Sequence, residues 1–425
     1  MSYLDDWYAA VARNIGGGST KRFFHRGYGD MASAAKIFSS VVDEIASGAP
    51  IAPLRPTWGD TTRIEPAVSS CFGPGADAAP TTRLATFESP ASAHLPGASR
   101  RGELMFVWKD TDRAPTKIAV HLPTTGDQFY YFRKQIALDL LKHDIASVIP
   151  MLPYYGPRKP PEQYAHVLPT VEALVAQACA GVTESAAVAA YLAETYPVAQ
   201  TVFTGVSLGG VLSIVAAMYY ASSATHDVGA APVVAPSCAT AFLTGVLHNR
   251  LAWDVLGRAP ENVAEDLLRV MREEDGASGG VEDVGKQSEN VRKENGEALN
   301  ETEAALAAAM ECLSLPKIAR LTEARRRALG RGAPKLGAVV QVSAAGDRFL
   351  GSQQDELQAT LRGLCPEAER RDIEGGHISS ILFGREKNIV PAVVAAFRAL
   401  DARRGGALDH APATVAPTPV ASNRA

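Results

Sequence analysis

From residue 83 onward, short apolar runs alternate with longer stretches whose apolar positions recur every three or four residues, the pattern of strands alternating with helices. Strands are predicted at 83–88 and 103–109, and Lys117-Ile118-Ala119-Val120-His121-Leu122 reads as a buried strand. A helix over 129–142 places Phe132, Ile136, Leu140 and Leu141 along one face, and a strand over 145–150 follows it. Residues 162–195 read as one or two helices, 198–204 as a strand running directly into Gly205, and 228–235 as a further strand. The same texture resumes with a strand at 337–343, a helix at 352–363 and a strand at 368–373. A last helix at 386–400 carries Ile389, Val393, Val394, Phe397 and Leu400 on one side. Runs such as Thr201-Val202-Phe203 and Ala338-Val339-Val340-Gln341-Val342 are nearly continuous in apolar residues, as a parallel sheet covered on both faces requires. The expected fold class is α/β, a mostly parallel sheet with helices on both faces.

Three stretches lie outside this pattern. Residues 45–80, rich in Pro, Gly and Ala, read as an irregular connection after a short N-terminal helix, so 1–82 is taken as an N-terminal segment. Residues 261–303 are charged at about twice the chain's 21% and are broken by Gly276, Gly279, Gly280 and Gly296. They mark an exposed insertion, helical at its ends and unstructured between. The core is thus expected in two parts, 83–257 and 335–402, separated by an insertion at 258–334 and followed by a disordered tail at 403–425. Residues 198–225 carry no charge, but Gly205, Gly209, Gly210 and several serines interrupt them. They read as a buried strand, a turn and a buried helix rather than a membrane span.

Composition narrows the function. With 46% hydrophobic residues and a net charge of −4, the 425-residue chain is a globular one with no basic face for a nucleic-acid backbone. Its 5 cysteines are odd in number, far apart and without a C-x-x-C pair. Neither a disulfide framework nor a zinc site is expected, and a reducing, intracellular setting fits. Asp5 and Asp6, with no apolar run around them, argue against a secretory signal.

Gly205-Val206-Ser207-Leu208-Gly209 fits G-x-S-x-G, the sharp strand-to-helix turn that projects a nucleophilic serine from the edge of an α/β-hydrolase sheet. Gly276-Ala277-Ser278-Gly279-Gly280 matches the same string, but it follows Arg272-Glu273-Glu274-Asp275 instead of an apolar strand, so Ser278 is read as a linker residue. A serine needs a base oriented by a carboxylate, and in this fold the acid and then the histidine follow the serine, each after a later strand. His377, in Glu374-Gly375-Gly376-His377, meets that order; His410 lies in the tail, and His226 and His248 precede the last two strands. Asp347, reached from the strand at 337–343 through Ser343-Ala344-Ala345-Gly346, is the expected acid. Asp372 and Glu374 are rivals, but they share a strand with the approach to His377, and solvated salt-bridge roles suit them better. An oxyanion needs two N–H donors: Leu208, the residue after the serine, and a residue of the loop after His121-Leu122. Pro123 has no N–H, which leaves Thr124 or Thr125, with Gly126 letting the backbone approach; His121 is expected to pack beneath the loop.

Taken together, His121-Leu122-Pro123-Thr124-Thr125-Gly126-Asp127, Pro153-Tyr154-Tyr155-Gly156 with Arg158-Lys159-Pro160, Gly205 to Gly210, Glu374-Gly375-Gly376-His377-Ile378-Ser379 and Phe24-His25-Arg26-Gly27-Tyr28-Gly29 resemble the α/β-hydrolase domain-containing protein 18 family. The likeness runs from about residue 20 to 400 and leaves out the insertion and the tail. It implies a serine hydrolase acting on lipid acyl esters, in a mitochondrial setting. The insertion at 258–334 then falls where such folds carry a lid. Thioester and acyl-transfer chemistry would use the same residues, and a non-catalytic scaffold is the alternative from another class. Tyr155, Arg158 and Lys159 follow a strand that ends at the serine's edge, so they are expected to contact substrate, the two cations either holding a phosphate or carboxylate or lying as solvated surface charge. Gly27-Tyr28-Gly29-Asp30-Met31-Ala32 spells G-x-G-x-x-A but follows no buried strand, so a dinucleotide is not expected there. No metal or other cofactor is called for; peripheral membrane contact and oligomeric state are left open.

Overall fold

The computed structural model describes residues 4, 24–63, 80–109, 113–223, 227–235, 313–347, 350 and 353–408. Among the described residues nine strands form one sheet: β1 (Thr57–Arg63), β2 (Pro80–Glu88), β3 (Arg101–Lys109), β4 (Lys117–Leu122), β5 (Ala146–Pro150), β6 (Gln200–Val206), β7 (Val228–Val233), β8 (Ala338–Ala344) and β9 (Glu369–Ile373). Their order is β1-β2-β3-β5-β4-β6-β7-β8-β9. The first three strands pair antiparallel, as does β3 with β5, and every pair from β5 to β9 is parallel. After β4 the chain first goes to β5 on one side and then returns to place β6 on the other. The strand order therefore reverses between β4 and β6, and at the carboxyl ends of such strands an α/β sheet opens a crevice.

The helices are α1 (Met31–Ser47), α2 (Tyr131–Leu141), α3 (Val171–Thr195), α4 (Leu208–Ser223), α5 (Leu315–Ala328), α6 (Gln353–Leu364), α7 (His377–Phe383) and α8 (Val390–Leu408), together with shorter turns. Alternate strand residues feed opposite faces, the period-two geometry of a strand. Ile118, Val120, Leu122 and Phe203 pack with α1, α3, α4, α5 and α6, while Ala119, Val202 and Val206 pack with α2 and α8. Helix α3 is long and apolar enough to cross a bilayer by length and composition, but the sheet and its helical neighbours bury most of it, along with Gln177, Glu184 and Ser185.

The N-terminal region differs from its sequence reading. Residues 57–63, expected within an irregular connection, form an edge strand, with Thr57 opposite Thr86 and Arg63 opposite Thr81. The alternating apolar signal is missing because Thr57-Trp58-Gly59-Asp60-Thr61-Thr62-Arg63 is held by backbone pairing at the rim rather than by a buried face. Part of the expected charged insertion is also ordered: α5 lies across α1, where Arg325 pairs with Asp43 at 2.7 Å and Arg326 donates to Ile45 O at 3.1 Å. The middle of the insertion, with Ser278 and residues 258–312, lies outside the described residues. So do residues 409–425, while α8 runs to Leu408, past the expected end at 402.

The glycine-rich Phe24 to Asp30 segment caps α3. Gly27 O and Tyr28 O accept from Val171 N and Glu172 N, Asp30 N donates to the Glu172 carboxylate at 2.7 Å, and the Asp30 side chain caps α1 through Ser33 N. Gly27 and Gly29 both have positive φ. Their role is this close reciprocal turn.

Candidate active site

Each residue of the site sits just past the carboxyl end of a parallel strand. Ser207 links β6 to α4 with φ of 54°, a left-handed angle that costs a non-glycine residue roughly 1–3 kcal/mol. The surroundings hold it there: Ser207 N donates to Val233 O at 2.9 Å. A methyl group on Gly205 would overlap Gly209 O, one on Gly209 would overlap Leu122 O, and one on Gly210 would meet Ala235 Cβ at 2.7 Å. The elbow can turn this tightly against β4 and β7 because those three positions have no side chain. Its neighbour Val234 is strained too, a fully buried β-branched residue at φ of 40° whose N–H donates to Val342 O at 2.8 Å.

Two loops bring the other expected partners to this serine. The turn after β8 carries Asp347 and the turn after β9 carries His377, and they are tied together: Ala345 N donates to Ile373 O and Gly346 N to Gly375 O, both at 2.9 Å. Gly375 has φ of 114° and Ser379 Oγ accepts from Gly376 N, so the chain folds back and α7 begins on His377 itself. The imidazole thereby lies between the two: Nε2 is 2.9 Å from Ser207 Oγ and Nδ1 is 2.8 Å from Asp347 Oδ2. The second carboxylate oxygen, Oδ1, accepts from Leu350 N at 3.0 Å. All three residues are buried, at 2%, 3% and 7% exposure, so the hydrogen bonds among them form at low dielectric, where they are strong. Asp372 and Glu374 are exposed, and Asp372 pairs with Arg370 at 2.7 Å.

Leu208 is the first residue of α4, and the first N–H groups of a helix have no intrahelical acceptor. The turn after β4 lies alongside. A methyl on Gly209 would reach the Pro123 carbonyl carbon at 2.9 Å, and that carbon is bonded to Thr124 N. Within this turn Asp127 N donates to Thr124 O and Gly126 N donates to the Tyr155 hydroxyl at 3.0 Å. Among the described residues no acceptor takes the N–H of Thr124 or Thr125. His121 lies beneath the loop, as expected, with Nε2 3.0 Å from Ser147 Oγ; burial and then the Arg133 charge lower its pKa from 6.5 to about 3, so it is neutral.

The three residues expected to contact substrate do other things. Arg158 turns inward: it forms a two-pronged ion pair with Glu184 of α3, 2.7 Å on each prong, each side chain 1% exposed, and also donates to Met151 O and Ser99 O. Tyr155 is fully buried and supports the turn through Gly126. Lys159 donates to Gln163 O at 2.8 Å within its own loop. The short-range reading failed because Arg158's partner is on a helix that no local pattern connects with it.

Two polar residues near the site were not anticipated. Arg133 Nε pairs with Asp127 Oδ2 at 2.6 Å, and its Nη1 donates to His121 O at 3.0 Å and Pro150 O at 2.5 Å. A signal was present: Arg133 lies on the stripe of Ala137 and Leu141, a cation where the helix should be apolar. The His166 ring flanks the same turn, 3.4 Å from where a methyl on Gly126 would sit, and burial lowers its pKa. Among the described residues no three His, Cys, Asp or Glu side chains are grouped to hold a metal.

A family model, alpha/beta hydrolase domain containing 18, matches residues 21–399. The chain belongs to that family. Solved structures with a similar fold include acetyl xylan esterase 1 from Thermoanaerobacterium sp. JW/SL YS485, at 10% identity and TM-score 0.39 over 87% of this chain and 95% of the other. Acetyl xylan esterase from Paenibacillus sp. R4 has 11% identity and TM-score 0.44 over 88% and 95%. Carboxyl esterase 2 from the mycorrhizal fungus Tuber melanosporum has 12% identity and TM-score 0.40 over 78% and 88%.

Proposed function

We propose that the protein is a serine hydrolase that cleaves a carboxylic ester. The observation that carries this reading is the continuous relay of hydrogen bonds, 2.9 Å from Ser207 to His377 and 2.8 Å from His377 to Asp347, ending on a serine held in a left-handed elbow. In the first half-reaction Ser207 Oγ attacks the acyl carbonyl as His377 Nε2 takes its proton. Asp347 keeps the other proton on Nδ1 and stabilises the imidazolium, and the N–H groups of Leu208 and Thr124 donate to the negative oxygen. The imidazolium then protonates the departing alkoxide and leaves an acyl-serine. Water, deprotonated by His377, releases the carboxylic acid and restores Ser207.

The acyl group is proposed to be a lipid chain, on the family resemblance, with a membrane-peripheral or mitochondrial setting on the same ground. A thioester or an acceptor alcohol would enter the same steps.

A fluorophosphonate probe tests the chemistry. It should label the full-length protein, fail to label Ser207→Ala, and still label Ser278→Ala. No labelling of the unmodified chain would favour a hydrolase-fold scaffold without catalysis. Hydrolysis of esters graded in chain length and head-group charge then tests the substrate class. His377→Ala should lower kcat by up to about a million-fold, and Asp347→Asn by about 10⁴.

A further inference from the structure

The turn that carries the second oxyanion donor is a surface loop, and loops are soft unless something holds them. A small pocket borders this one, lined by Leu122, Thr124, Asp127, Phe132, Arg133 and Ile136 among others. What fixes it is polar. Tyr155, from the segment after β5, is fully buried and accepts Gly126 N–H at 3.0 Å. Arg133 binds Asp127 at the end of the turn, and its other contacts, His121 O and Pro150 O, anchor it to the carboxyl ends of β4 and β5. Five consecutive residues are thereby sorted. Pro123 has no N–H, Gly126 N–H is taken by Tyr155, Asp127 N–H is taken by Thr124 O, and the N–H groups of Thr124 and Thr125 are left over.

We infer that Tyr155 and the Asp127–Arg133 pair are positioning residues for the oxyanion donor, an inference that rests on the hydrolase reading above. Neither touches the reacting atoms. Tyr155 takes the Gly126 N–H and so pins the turn beside Thr124 and Thr125, and Arg133 sets the height of the turn above the sheet. An oxyanion donor acts through its fixed placement at the developing charge, and a displacement of about 1 Å costs about a hundredfold in rate. Tyr155→Phe leaves the half-buried Gly126 N–H without its acceptor, which the turn relieves by rotating, carrying Thr124 with it.

The test compares Tyr155→Phe and Asp127→Asn with the unmodified chain, each normalised to the serine titrated by a fluorophosphonate, so that unfolded protein does not count. An alkyl boronic acid, which forms a tetrahedral adduct on the serine, reports on the oxyanion site. Each variant should lose about ten- to a hundredfold in kcat per titrated serine, with KM within about twofold. The boronate should lose affinity by the same factor as kcat/KM. Unchanged kcat and boronate affinity, with only a lower Tm, would reduce these residues to packing and overturn the inference. If the unmodified chain does not react with the fluorophosphonate, the hydrolase reading fails and this inference with it; reaction with unaltered variant kinetics overturns this inference alone.

Discussion

Ser207 and Gly209 show how little room the elbow has. The serine is in a backbone conformation that glycine adopts freely and serine does not, and the glycine two positions on lies against the carbonyls of Leu122 and Pro123. Gly209→Ala should therefore push α4 away from β4, at a cost of about 1–3 kcal/mol, and should separate Leu208 N–H from Thr124 N–H. A calorimetric Tm should fall by several degrees and esterase turnover should be lost; an unshifted Tm would refute the crowding argument. At this scale the sequence was informative. The string Gly205-Val206-Ser207-Leu208-Gly209 occurs twice in kind; the copy behind an apolar strand is an elbow, and the copy at Ser278 lies outside the described residues. Asp347 and His377 were legible because each follows a strand by a short glycine-containing turn.

The segment after β5 is where pattern reading gave out, and the reason lies between elements. Tyr155, Arg158 and Lys159 leave a strand at the right edge, which is all a local pattern can establish. Their direction is decided by α3, whose Glu184 draws Arg158 into the interior and satisfies it together with Ser99 O and Met151 O. Removing one partner of such a buried pair leaves an uncompensated charge. Arg158→Met alone should destabilise by about 3–5 kcal/mol in urea unfolding, whereas Arg158→Met with Glu184→Leu should recover most of that loss. If the single variant were as stable as the parent but lost affinity for anionic esters, Arg158 would be a recognition residue after all. The joining of α1 and α5 makes a similar point: Arg325 and Arg326 look like solvated charge in a basic run, yet they cap and clamp a helix some 280 residues away in sequence.

At the scale of the whole molecule, buried His121 at the carboxyl end of β4 links stability to pH. His121 is held neutral in the fold, its pKa lowered from 6.5 to about 3, whereas in the unfolded chain it binds a proton below 6.5. The unfolded state thus takes up more protons, and the contribution of His121, complete above pH 6.5, is lost as pH falls from 6.5 toward 3, at up to about 1.4 kcal/mol per pH unit. Urea midpoints at pH 7, 6 and 5 should fall more steeply for the parent than for His121→Gln; parallel curves would show that His121 is not the group responsible. The amino-acid order alone determined the alternation of strand and helix, the elbow, and the chain order of serine, acid and histidine, because these depend on local periodicity and on which strand each residue follows. Folding in three dimensions decided which charges face inward, which tyrosine supports the turn at Gly126, and that residues 57–63 extend the sheet. Those outcomes depend on partners brought together by the sheet's strand order, and their pairing energies are set by burial, a quantity that no stretch of sequence carries on its own.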